Sequence, residues 1–508
     1  MTDNLFELFR SRFPADRSKT FIEVPGGPTI SYGDLEAASG RIANTLVAAG
    51  AKPGDRVAVQ VDKSPEAVIL YLACVRAGAV LLPLNTAYQS DELEYFLSDA
   101  APTVVVCQPH RLAELEGLVA KAGITARVMT LGADGGGSLM AQAAAGSPEF
   151  ATVARGGDDI AAILYSSGTT GRPKGAMMSH TNLGSNALTL HKLWGFRPDD
   201  VLLHCLPIFH THGLFVAINC VLLNGTAMIF CAKFDAEQAI ALMARATVFM
   251  GVPTFYTRFL ASPSLTPAAC KGMRLFISGS APLLEETFTA FHERSGHTIL
   301  ERYGMTEGGM FTSNPLDGDR LAGTVGFPLP DVDLRITGED GRVLAQGEVG
   351  IIEVKGPNIF KGYWNMPEKT KAEFTEDGYF KSGDVGVIDP RGYVSIVGRA
   401  KDLIISGGYN VYPKEVEDAI DRMDGVIESA VVGMPHPDFG EAGLALVVTP
   451  ADTALSPDGI IADLRGRLAN YKVPKQVVLV RELPRNAMGK VQKNVLRDSY
   501  AERWKANL

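Results

Sequence analysis

The sequence predicts a multidomain α/β protein. Its large N-terminal domain has mainly parallel sheets and a small β-rich subdomain, and a small C-terminal α+β domain follows. Apolar runs alternate with helical patterns over residues 34–131 and 201–300, as in parallel sheets covered by helices on both faces. Short strands and turns fill residues 318–397, and the tail beyond them has the size of a separate domain. We therefore predict domains over residues 1–399 and 400–508.

Local signals set the elements of the first α/β series. Pro65 follows Ser64 and begins a helix, because proline fits the first helical turn and serine caps it. The stretch Gly132–Ser147, rich in glycine and alanine, is predicted to be a linker or surface loop. The other predicted elements are helices at Leu35–Ala49, Pro65–Arg76 and Glu92–Leu97 and strands at Arg56–Val61, Ala79–Leu82 and Val104–Val106.

One segment, Gly213–Ala232, is long and carries no charge. Its Asn219 and the Asn-Gly-Thr break at 224–226 favour a buried helix that turns into a buried strand over a membrane span. Residues 1–14 carry charges and lack a long apolar run, so we do not expect them to form a signal peptide.

Composition and charge narrow the function classes. The 508 residues are 46% hydrophobic and 21% charged, which is ordinary for a globular protein. With 48 basic and 57 acidic residues, the net charge of −9 argues against nucleic acid and anionic membrane as general partners. The six cysteines show no Cys-x-x-Cys spacing, which indicates buried thiols in a reducing compartment. We therefore expect a cytoplasmic protein without a membrane span.

The densest cluster of glycine and hydroxyl residues is Tyr165–Gly175, with the sequence Tyr-Ser-Ser-Gly-Thr-Thr-Gly-Arg-Pro-Lys-Gly. Small residues let backbone N–H groups converge on an anion, and Lys174 adds a positive charge, which suits a polyphosphate. It is not a Walker A loop, since Pro173 and Gly175 replace the glycine and the hydroxyl residue of that motif. We predict a loop between two strands, with a helix that starts only near 179–182. A flexible surface loop is the alternative.

Five further segments repeat this chemistry of small residues, hydroxyls and charged groups. They are Phe-Ile-Ser-Gly-Ser-Ala-Pro-Leu at 276–283, Tyr-Gly-Met-Thr-Glu at 303–307, Ser-Gly-Asp at 382–384, Gly-Arg at 398–399 and Pro-Arg-Asn-Ala-Met-Gly-Lys at 484–490. Each segment alone is better explained by a turn. Together, in this order, they resemble the adenylate-forming superfamily of acyl-CoA synthetases, luciferases and non-ribosomal adenylation domains.

The resemblance covers nearly the whole chain and implies a two-step reaction. A carboxylate attacks the α-phosphate of ATP to give an acyl-adenylate and pyrophosphate, and the thiol of coenzyme A then displaces AMP. It also implies Mg²⁺ as cofactor and a mobile C-terminal domain with its hinge at Lys401.

The same resemblance implies the nucleotide-binding residues. The β- and γ-phosphates would bind to Ser166, Ser167, Gly168, Thr169, Thr170, Gly171 and Lys174. Adenosine and the α-phosphate would contact Gly279, Ser280, Ala281, Tyr303, Gly304, Met305, Thr306, Asp384, Arg399 and Lys490. Glu307 would bind Mg²⁺, and Thr170 is a second candidate for it.

The implied catalytic residues are Lys490, Thr306, Glu307 and His210. The charge of Lys490 would stabilise the negative charge that develops between the carboxylate and the α-phosphate. His210 resembles the ring that gates the acyl pocket and the pantetheine tunnel. After adenylation, the C-terminal domain would replace Lys490 with the loop that holds Ser406, Gly407 and Gly408.

Two arginines, Arg258 and Arg302, indicate which carboxylic acid is the substrate. Arg258 follows Thr254 by one turn, in a segment that resembles the one beside the acyl pocket in the family. Arg302 directly precedes Tyr303, at a position where many fatty-acid and aromatic-acid members of the family have glycine. An unpaired guanidinium in an apolar pocket costs several kcal/mol, so a second carboxylate on the substrate is the expected partner. Both segments look like those of malonyl-CoA synthetases, with Ser280 and His210 also beside the acid. The alternative is that both arginines pair with surface carboxylates.

Other functions stay open at this point. The nearest alternative is a CoA synthetase for oxalate, a short fatty acid or an aryl acid, followed by an adenylation enzyme that loads a carrier protein. A luciferase-like oxygenase shares the fold, and a non-catalytic nucleotide sensor need not retain Glu307, Asp384 and Lys490. No zinc site is predicted, because His204, His210 and His212 have no further ligand beyond Cys205.

Lys490 also has the Pro-x-x-x-x-Gly-Lys context of relatives that are controlled by lysine acetylation. Acetylation would remove the charge that adenylation needs. A lysine acetyltransferase and a deacetylase are therefore expected partners, whereas the sequence leaves the oligomeric state open.

Overall fold

The computed structural model describes residues 3–166, 173–407, 409–451, 453–486 and 489–506. Its α-helices are α1 (Leu5–Arg10), α2 (Tyr32–Ala48), α3 (Pro65–Arg76), α4 (Ser90–Ala100), α5 (Leu112–Lys121), α6 (Ser138–Ala144), α7 (His180–Leu193), α8 (Asn219–Asn224), α9 (Ala236–Leu242), α10 (Pro253–Ala261), α11 (Glu285–Ser295), α12 (Pro367–Glu373), α13 (Pro413–Asp421), α14 (Pro457–Arg467) and α15 (Lys493–Lys505).

The β-strands follow the same chain order. They are β1 (Thr20–Glu23), β2 (Thr29–Ser31), β3 (Arg56–Gln60), β4 (Val80–Pro83), β5 (Val104–Cys107), β6 (Arg127–Thr130), β7 (Ile160–Ser166), β8 (Lys174–Ser179), β9 (Val201–His204), β10 (Ala227–Phe230), β11 (Val248–Gly251), β12 (Leu275–Ser278), β13 (Leu300–Met305), β14 (Gly309–Ser313), β15 (Phe327–Pro328), β16 (Asp333–Thr337), β17 (Gly350–Lys355), β18 (Phe380–Ile388), β19 (Val394–Arg399), β20 (Ile404–Ser406), β21 (Tyr409–Val411), β22 (Glu428–His436), β23 (Gly440–Val448) and β24 (Gln476–Val480).

Two mainly parallel sheets form the N-terminal part of the molecule. One has the strand order β6-β5-β3-β4-β7-β8 and the other has the order β15-β14-β13-β12-β11-β9-β10-β1-β2. Their antiparallel pairs lie at the edges, where β7 pairs with β8, β1 with β2, and β14 with both β13 and β15. Helix α3 is buried along its whole length except at Glu66, as expected for a helix between layers. The predicted α/β class is confirmed.

The elements predicted for the first series are present, with shifted ends. Helix α3 has the predicted bounds, and the Ser64 hydroxyl accepts from the Ala67 N–H at 3.2 Å. Helix α2 begins three residues early because Ser31 and Asp34 form a capping box. The structure corrects the prediction of a loop over Gly132–Ser147, because this stretch contains α6. Leu139 and Ala143, four residues apart, bury one face of that helix.

The uncharged segment Gly213–Ala232 is buried as predicted, apart from the half-buried Asn224 and Ala227 and the exposed Ala232. A π-helical turn over His212–Ile218 leads into α8, and β10 follows after Gly225, whose φ of +63° ends the helix. Every residue from 212 to 223 is buried. None of the described helices combines the length and the apolar character that crossing a membrane requires.

A separate β-rich unit follows the large sheets. Strands β16, β17, β18 and β19 form an antiparallel sheet in that order. Strand β15 belongs instead to the large sheet, through its pairing with β14. The short strands and turns predicted for residues 318–397 therefore correspond mainly to this four-stranded sheet, which begins at residue 333.

The C-terminal part is an α+β unit around the sheet β21-β20-β23-β22, with β24 parallel to β23. Helices α13 and α14 supply the core on one face of this sheet, through Val416, Ile420, Ile460 and Leu464. Helix α15 belongs to a second core cluster of the same unit, in which its Leu496 and Trp504 are buried. The α+β prediction for the tail is confirmed, whereas the predicted domain boundaries remain predictions.

Candidate active site

The predicted phosphate loop connects β7 to β8. These strands pair antiparallel, with Ser166 opposite Lys174, and α7 starts only at His180 behind a capping box. The strand–loop–strand prediction is therefore confirmed, and no helix N-terminus directly follows the loop. The loop itself, with the predicted residues Ser167, Gly168, Thr169, Thr170 and Gly171, lies outside the described residues.

Lys174 reaches a cluster around Glu307. Its Nζ lies 3.5 Å from Glu373 Oε1 and 4.9 Å from the centre of the Tyr363 ring. The Tyr363 hydroxyl donates to Glu307 Oε1 at 3.1 Å. Burial raises the pKa of the Glu307 carboxyl group, and the charges of Arg399 and Lys174 act in the opposite direction. A divalent cation at this carboxylate would favour its ionised form in the same way, so the residues present fit Mg²⁺.

Asp384 is buried and is held from two sides. Arg399 Nε lies 2.7 Å from its Oδ1, and the Tyr303 hydroxyl donates to its Oδ2. The first contact follows from the register of β18 and β19, in which positions 384 and 399 are directly opposite. Because an ionised carboxylate has about four acceptor sites, Asp384 retains the capacity to accept from further hydroxyl groups.

Two glycines allow close packing of the backbone in this region. A Cβ atom on Gly304 would come within 1.9 Å of the Gly309 carbonyl oxygen, and one on Gly279 would come within 2.2 Å of Arg302 Nη1. Ser280, which follows, has a φ of +72°. Such a conformation is uncommon for a residue with a side chain and is concentrated at functional sites.

Arg302 is buried, with 2% of its surface exposed, and its Nε and Nη2 atoms have no hydrogen-bond partner among the described residues. Burial lowers its pKa to about 9. The preceding Glu301 belongs to the opposite face of β13, because successive side chains of a strand alternate. Burial also raises the pKa of Glu301 to about 8, which favours its neutral form. A guanidinium in this setting requires an anionic partner.

Arg258 lies in a different environment. It is exposed on α10, whose Tyr256 and Phe259 face the core. Thr254, one turn earlier on the same helix face, lies next to Gly489, since a Cβ atom on that glycine would be 3.2 Å from Thr254 Oγ1. The structure therefore places Arg258 on a surface that continues toward the loop of Lys490, outside the buried cluster of Arg302.

Three histidines, His204, His210 and His212, lie at the end of β9 and in the segment that leads into the π-helical turn. His204 is buried, and its Nε2 is 2.9 Å from the Gly213 carbonyl oxygen. His210 is partly buried, and its Nδ1 accepts from the backbone N–H of His212 at 3.2 Å. Burial, together with the charges of Lys490 and Arg302, lowers the pKa of His210 to about 3. His210 is thus neutral near pH 7, and both charged groups favour this state.

Lys490 lies among the charges of the N-terminal part. Burial lowers its pKa, as does the charge of Arg399, while Asp384 and Glu307 act in the opposite direction. The Asn486 side chain accepts from the backbone N–H of Lys490 at 3.0 Å and holds the loop. The structure therefore brings together residues that are distant in the sequence.

The predicted hinge and coenzyme A loop lie at the start of the C-terminal part. Lys401 is exposed in a 3₁₀ turn, where Asp402 pairs with Arg497 of α15 at 2.5 Å. Ser406 is buried, Gly407 has a φ of +59°, and Gly408 lies outside the described residues. The flanking Ile405 and Tyr409 are 53% and 60% exposed.

Sequence reasoning misses two residues of this site. Tyr363 donates to Glu307, and its ring lies against the ammonium group of Lys174. Because Tyr363 is far from both residues in the sequence, no local pattern predicts these contacts. His212 belongs to a segment that resembles the family's segment beside the acyl pocket, but the sequence assigns it no role there beyond a rejected zinc ligand. Among the described residues, no group of three or more His, Cys, Asp or Glu side chains could hold a metal ion.

The sequence and the fold both match known proteins. The family described as AMP-binding enzyme matches residues 9–364, and the AMP-binding enzyme C-terminal domain matches residues 415–490. The chain is 37% identical to a feruloyl-CoA synthase of Amycolatopsis over 93% of its length and 94% of that protein. It is 32% identical to the malonate–CoA ligase of Arabidopsis thaliana, over 98% of this chain and 89% of that protein. The chain belongs to the AMP-binding enzyme family.

Solved structures agree with this result. The chain is 57% identical to MatB from Rhodopseudomonas palustris, with 99% of this chain and 100% of MatB covered. The TM-score is 0.97 for the ATP-bound form of MatB and 0.86 for its apo form. The overall arrangement of this chain therefore matches the ATP-bound form more closely.

Proposed function

We propose that this enzyme is a malonate–CoA ligase. It converts malonate, ATP and coenzyme A to malonyl-CoA, AMP and pyrophosphate through an acyl-adenylate, and methylmalonate is a second candidate substrate. The observation that carries the proposal is the buried guanidinium of Arg302, whose Nε and Nη2 have no partner among the described residues. The malonate–CoA ligase relative supports the same choice of acid.

The acid is inferred from charge. Malonate has two carboxylates, and only one reacts with ATP. The second would bind the Arg302 guanidinium through paired, charge-assisted hydrogen bonds, which removes the penalty of leaving a buried cation unpaired. A monocarboxylic acid would bring no such group. Arg258, although exposed in this structure, remains a proposed second contact to the distal carboxylate.

The main alternative is an aryl acid, since the feruloyl-CoA synthase relative has the higher identity of the two curated relatives described above. Overall identity reflects the shared fold and nucleotide site, whereas the choice of acid depends on a few pocket residues. Ferulate carries a single carboxylate and would leave Arg302 unpaired. Malonate is therefore the better fit.

The proposed nucleotide roles are those that the family resemblance implies, and the contacts around Asp384 and Glu307 support them. We assign the ribose hydroxyls to Asp384 and Arg399, the adenine face to Tyr303 and the α-phosphate to Thr306. Glu307 would hold Mg²⁺, with Thr170 as the second candidate, and the bound ion would neutralise phosphate charge. The remaining proposed contacts to ATP are Ser166, Ser167, Gly168, Thr169, Thr170, Gly171, Lys174, Gly279, Ser280, Ala281, Gly304 and Met305.

In the first half-reaction, a carboxylate oxygen of malonate bonds to the α-phosphorus of ATP as the bond to pyrophosphate breaks. Negative charge develops on the oxygens between the two reactants. Lys490 would stabilise this charge, and the backbone contact with Asn486 positions its loop. Lys174 would hold the departing pyrophosphate.

In the second half-reaction, the sulfur of coenzyme A bonds to the acyl carbon and AMP leaves. We assign the hinge of the domain rotation between the two steps to Lys401. The rotation would remove Lys490 and bring Ser406, Gly407 and Gly408 to the pantetheine tunnel, with His210 as its gate. Lysine acetylation at Lys490 would block the first step alone, because it removes the positive charge. A cytoplasmic location is part of the same proposal.

A panel of carboxylic acids tests the proposal. Malonate, methylmalonate, oxalate, butyrate and ferulate are each supplied with ATP, Mg²⁺ and coenzyme A, and AMP release is measured. We expect malonate to give the highest kcat/KM. A higher value for butyrate or ferulate would contradict the proposal. Replacing coenzyme A with a phosphopantetheinylated carrier protein separates the CoA ligase from a carrier-loading enzyme.

A further inference from the structure

A second unpartnered polar atom lies close to Arg302, because His212 contacts Ser280 and the preceding Gly279 lies against the Arg302 guanidinium. His212 is fully buried at the start of the π-helical turn, and its Nε2 atom has no hydrogen-bond partner among the described residues. More than nine-tenths of buried polar groups in proteins are paired, so such an atom indicates a ligand. Arg302 does not supply the partner, because its own Nε and Nη2 are unpaired as well.

The other ring nitrogen of His212 is occupied. Its Nδ1 is 3.2 Å from the hydroxyl of Ser280, the residue with the unusual backbone conformation. A serine hydroxyl that donates to Nδ1 leaves the proton of a neutral imidazole on Nε2. Burial lowers the pKa of His212 well below its ordinary value, and the charge of Arg302 adds to this effect. The ring is therefore neutral, and with the Ser280 hydroxyl as the donor to Nδ1 it presents an N–H donor at Nε2.

We propose that His212 is a specificity-determining residue, whose Nε2–H donates to the distal carboxylate of the acid that Arg302 binds. Arg302 Nε, Arg302 Nη2 and His212 Nε2 are then three donors in one buried cluster, and the two oxygens of a single carboxylate offer about four acceptor sites for them. This inference rests on the proposed function and extends it from Arg302 to a residue held in place by Ser280. It also gives the π-helical turn a role, since such turns occur frequently at functional sites.

Two substitutions at position 212 distinguish a hydrogen bond to the substrate from a role in packing. His212→Gln retains an amide donor near the position of Nε2, and His212→Leu removes it with little change in volume. Steady-state kinetics are measured for malonate and for butyrate in both variants and in wild type. His191→Leu on α7 is the control, because His191 stacks on Phe196 and is not part of the site.

We expect His212→Leu to lower kcat/KM for malonate by about 10- to 100-fold, mainly through KM, because a hydrogen bond to a charged group is lost. Its kcat/KM for butyrate should stay within about threefold of wild type, which also shows that the variant folds. His212→Gln should retain most of the malonate activity. A proportional loss for both acids, or equal losses in the Gln and Leu variants, would overturn the inference.

The ratio of kcat/KM for malonate to that for butyrate in wild type tests the proposed function, and the His212 variants test the role of His212. If wild type prefers butyrate, the proposed function fails whatever the variants do. If wild type prefers malonate and His212→Leu retains that preference, only the role of His212 fails. ¹⁵N NMR of the histidine ring adds a direct readout: we expect the Nε2–H tautomer, and a predominant Nδ1–H tautomer would overturn the inference.

Discussion

Gly279 lies directly against the guanidinium of Arg302: a Cβ atom at position 279 would be 2.2 Å from Nη1 and 2.4 Å from Cζ. No side chain can occupy that space without moving the arginine. The glycine therefore determines where the positive charge of Arg302 is held. This relationship links the small-residue segment at 276–283 to the choice of acid.

Gly279→Ala should therefore lower kcat/KM for malonate by at least about tenfold, since a displaced Arg302 loses its charge-assisted contact. Steady-state kinetics with malonate at saturating ATP measure the effect. Gly117→Ala on α5 is the matched control, because a Cβ atom there meets nothing within 4 Å. Equal activity of the Gly279 variant and the control would contradict the steric argument.

Lys490→Ala should abolish formation of the acyl-adenylate and spare the attack of coenzyme A on preformed malonyl-adenylate. The reason is that the lysine charge is needed only while negative charge develops at the α-phosphate. Pyrophosphate exchange measures the first step, and thioester formation from synthetic malonyl-adenylate measures the second. Equal loss in both assays would exclude this role.

The same lysine predicts a pH dependence. Burial and the charge of Arg399 lower the pKa of Lys490, so the free enzyme loses this proton at a lower pH than an exposed lysine does. Because the protonated form is the active one, kcat/KM for ATP should fall on the alkaline side, beginning below the ordinary lysine value. Lys490→Arg retains its charge, and the alkaline fall should disappear from its residual activity. An unchanged profile in that variant would assign the fall to another group.

Tyr303→Phe should raise the KM for ATP by about 5- to 20-fold with a smaller effect on kcat. The ring that would cover adenine remains, but Asp384 loses the hydroxyl that orients it, and a hydrogen bond to a charged group is lost. Tyr393→Phe is the control, since its hydroxyl donates to the Asp319 carbonyl at 2.7 Å, outside the site. An equal rise of KM in both variants would contradict the assignment.

Glu301 predicts how stability changes with pH. Its folded pKa of about 8 lies above the ordinary value of 4.5, so the folded state retains a proton that the unfolded state releases. The contribution of this group to stability is then fully present below pH 4.5 and is lost as the pH rises to 8. Glu301→Gln removes this loss, and it should be more stable than wild type at pH 8 by about 2 kcal/mol or more. Urea unfolding at about pH 5 and about pH 8 measures the difference, and an identical difference at both values would contradict the linkage.

Local signals are sufficient to predict much of the fold. Proline after serine predicts the start of α3, and the change from an apolar run to small residues predicts the hairpin of β7 and β8. Helix α6 is not predicted, because its apolar pattern consists of one buried pair, Leu139 and Ala143, and is too short to indicate a helix. Its burial depends on packing against distant segments, which a local pattern does not contain.

The site is predictable only where the family resemblance reaches it. Arg302 is notable in the sequence because the resemblance implies glycine at this position in many fatty-acid and aromatic-acid members of the family. The structure adds that Arg302 is buried and that its Nε and Nη2 have no hydrogen-bond partner among the described residues. The sequence groups Arg258 with it, but the place of Arg258 on the exposed face of α10 depends on which face packs against the core. The pairing of Tyr363 with Glu307 joins residues 56 positions apart and has no local signal.

The ratio of kcat/KM for malonate to that for butyrate, in wild type and in Arg302→Met, tests the central claim most directly. Met retains the apolar stem and removes the charge, and Arg258→Leu is measured in parallel. We predict a strong preference for malonate in wild type and a ratio reduced by at least about 100-fold in Arg302→Met, because the buried cation is the partner of the distal carboxylate. A wild-type preference for butyrate, or an unchanged ratio in Arg302→Met, would contradict the account.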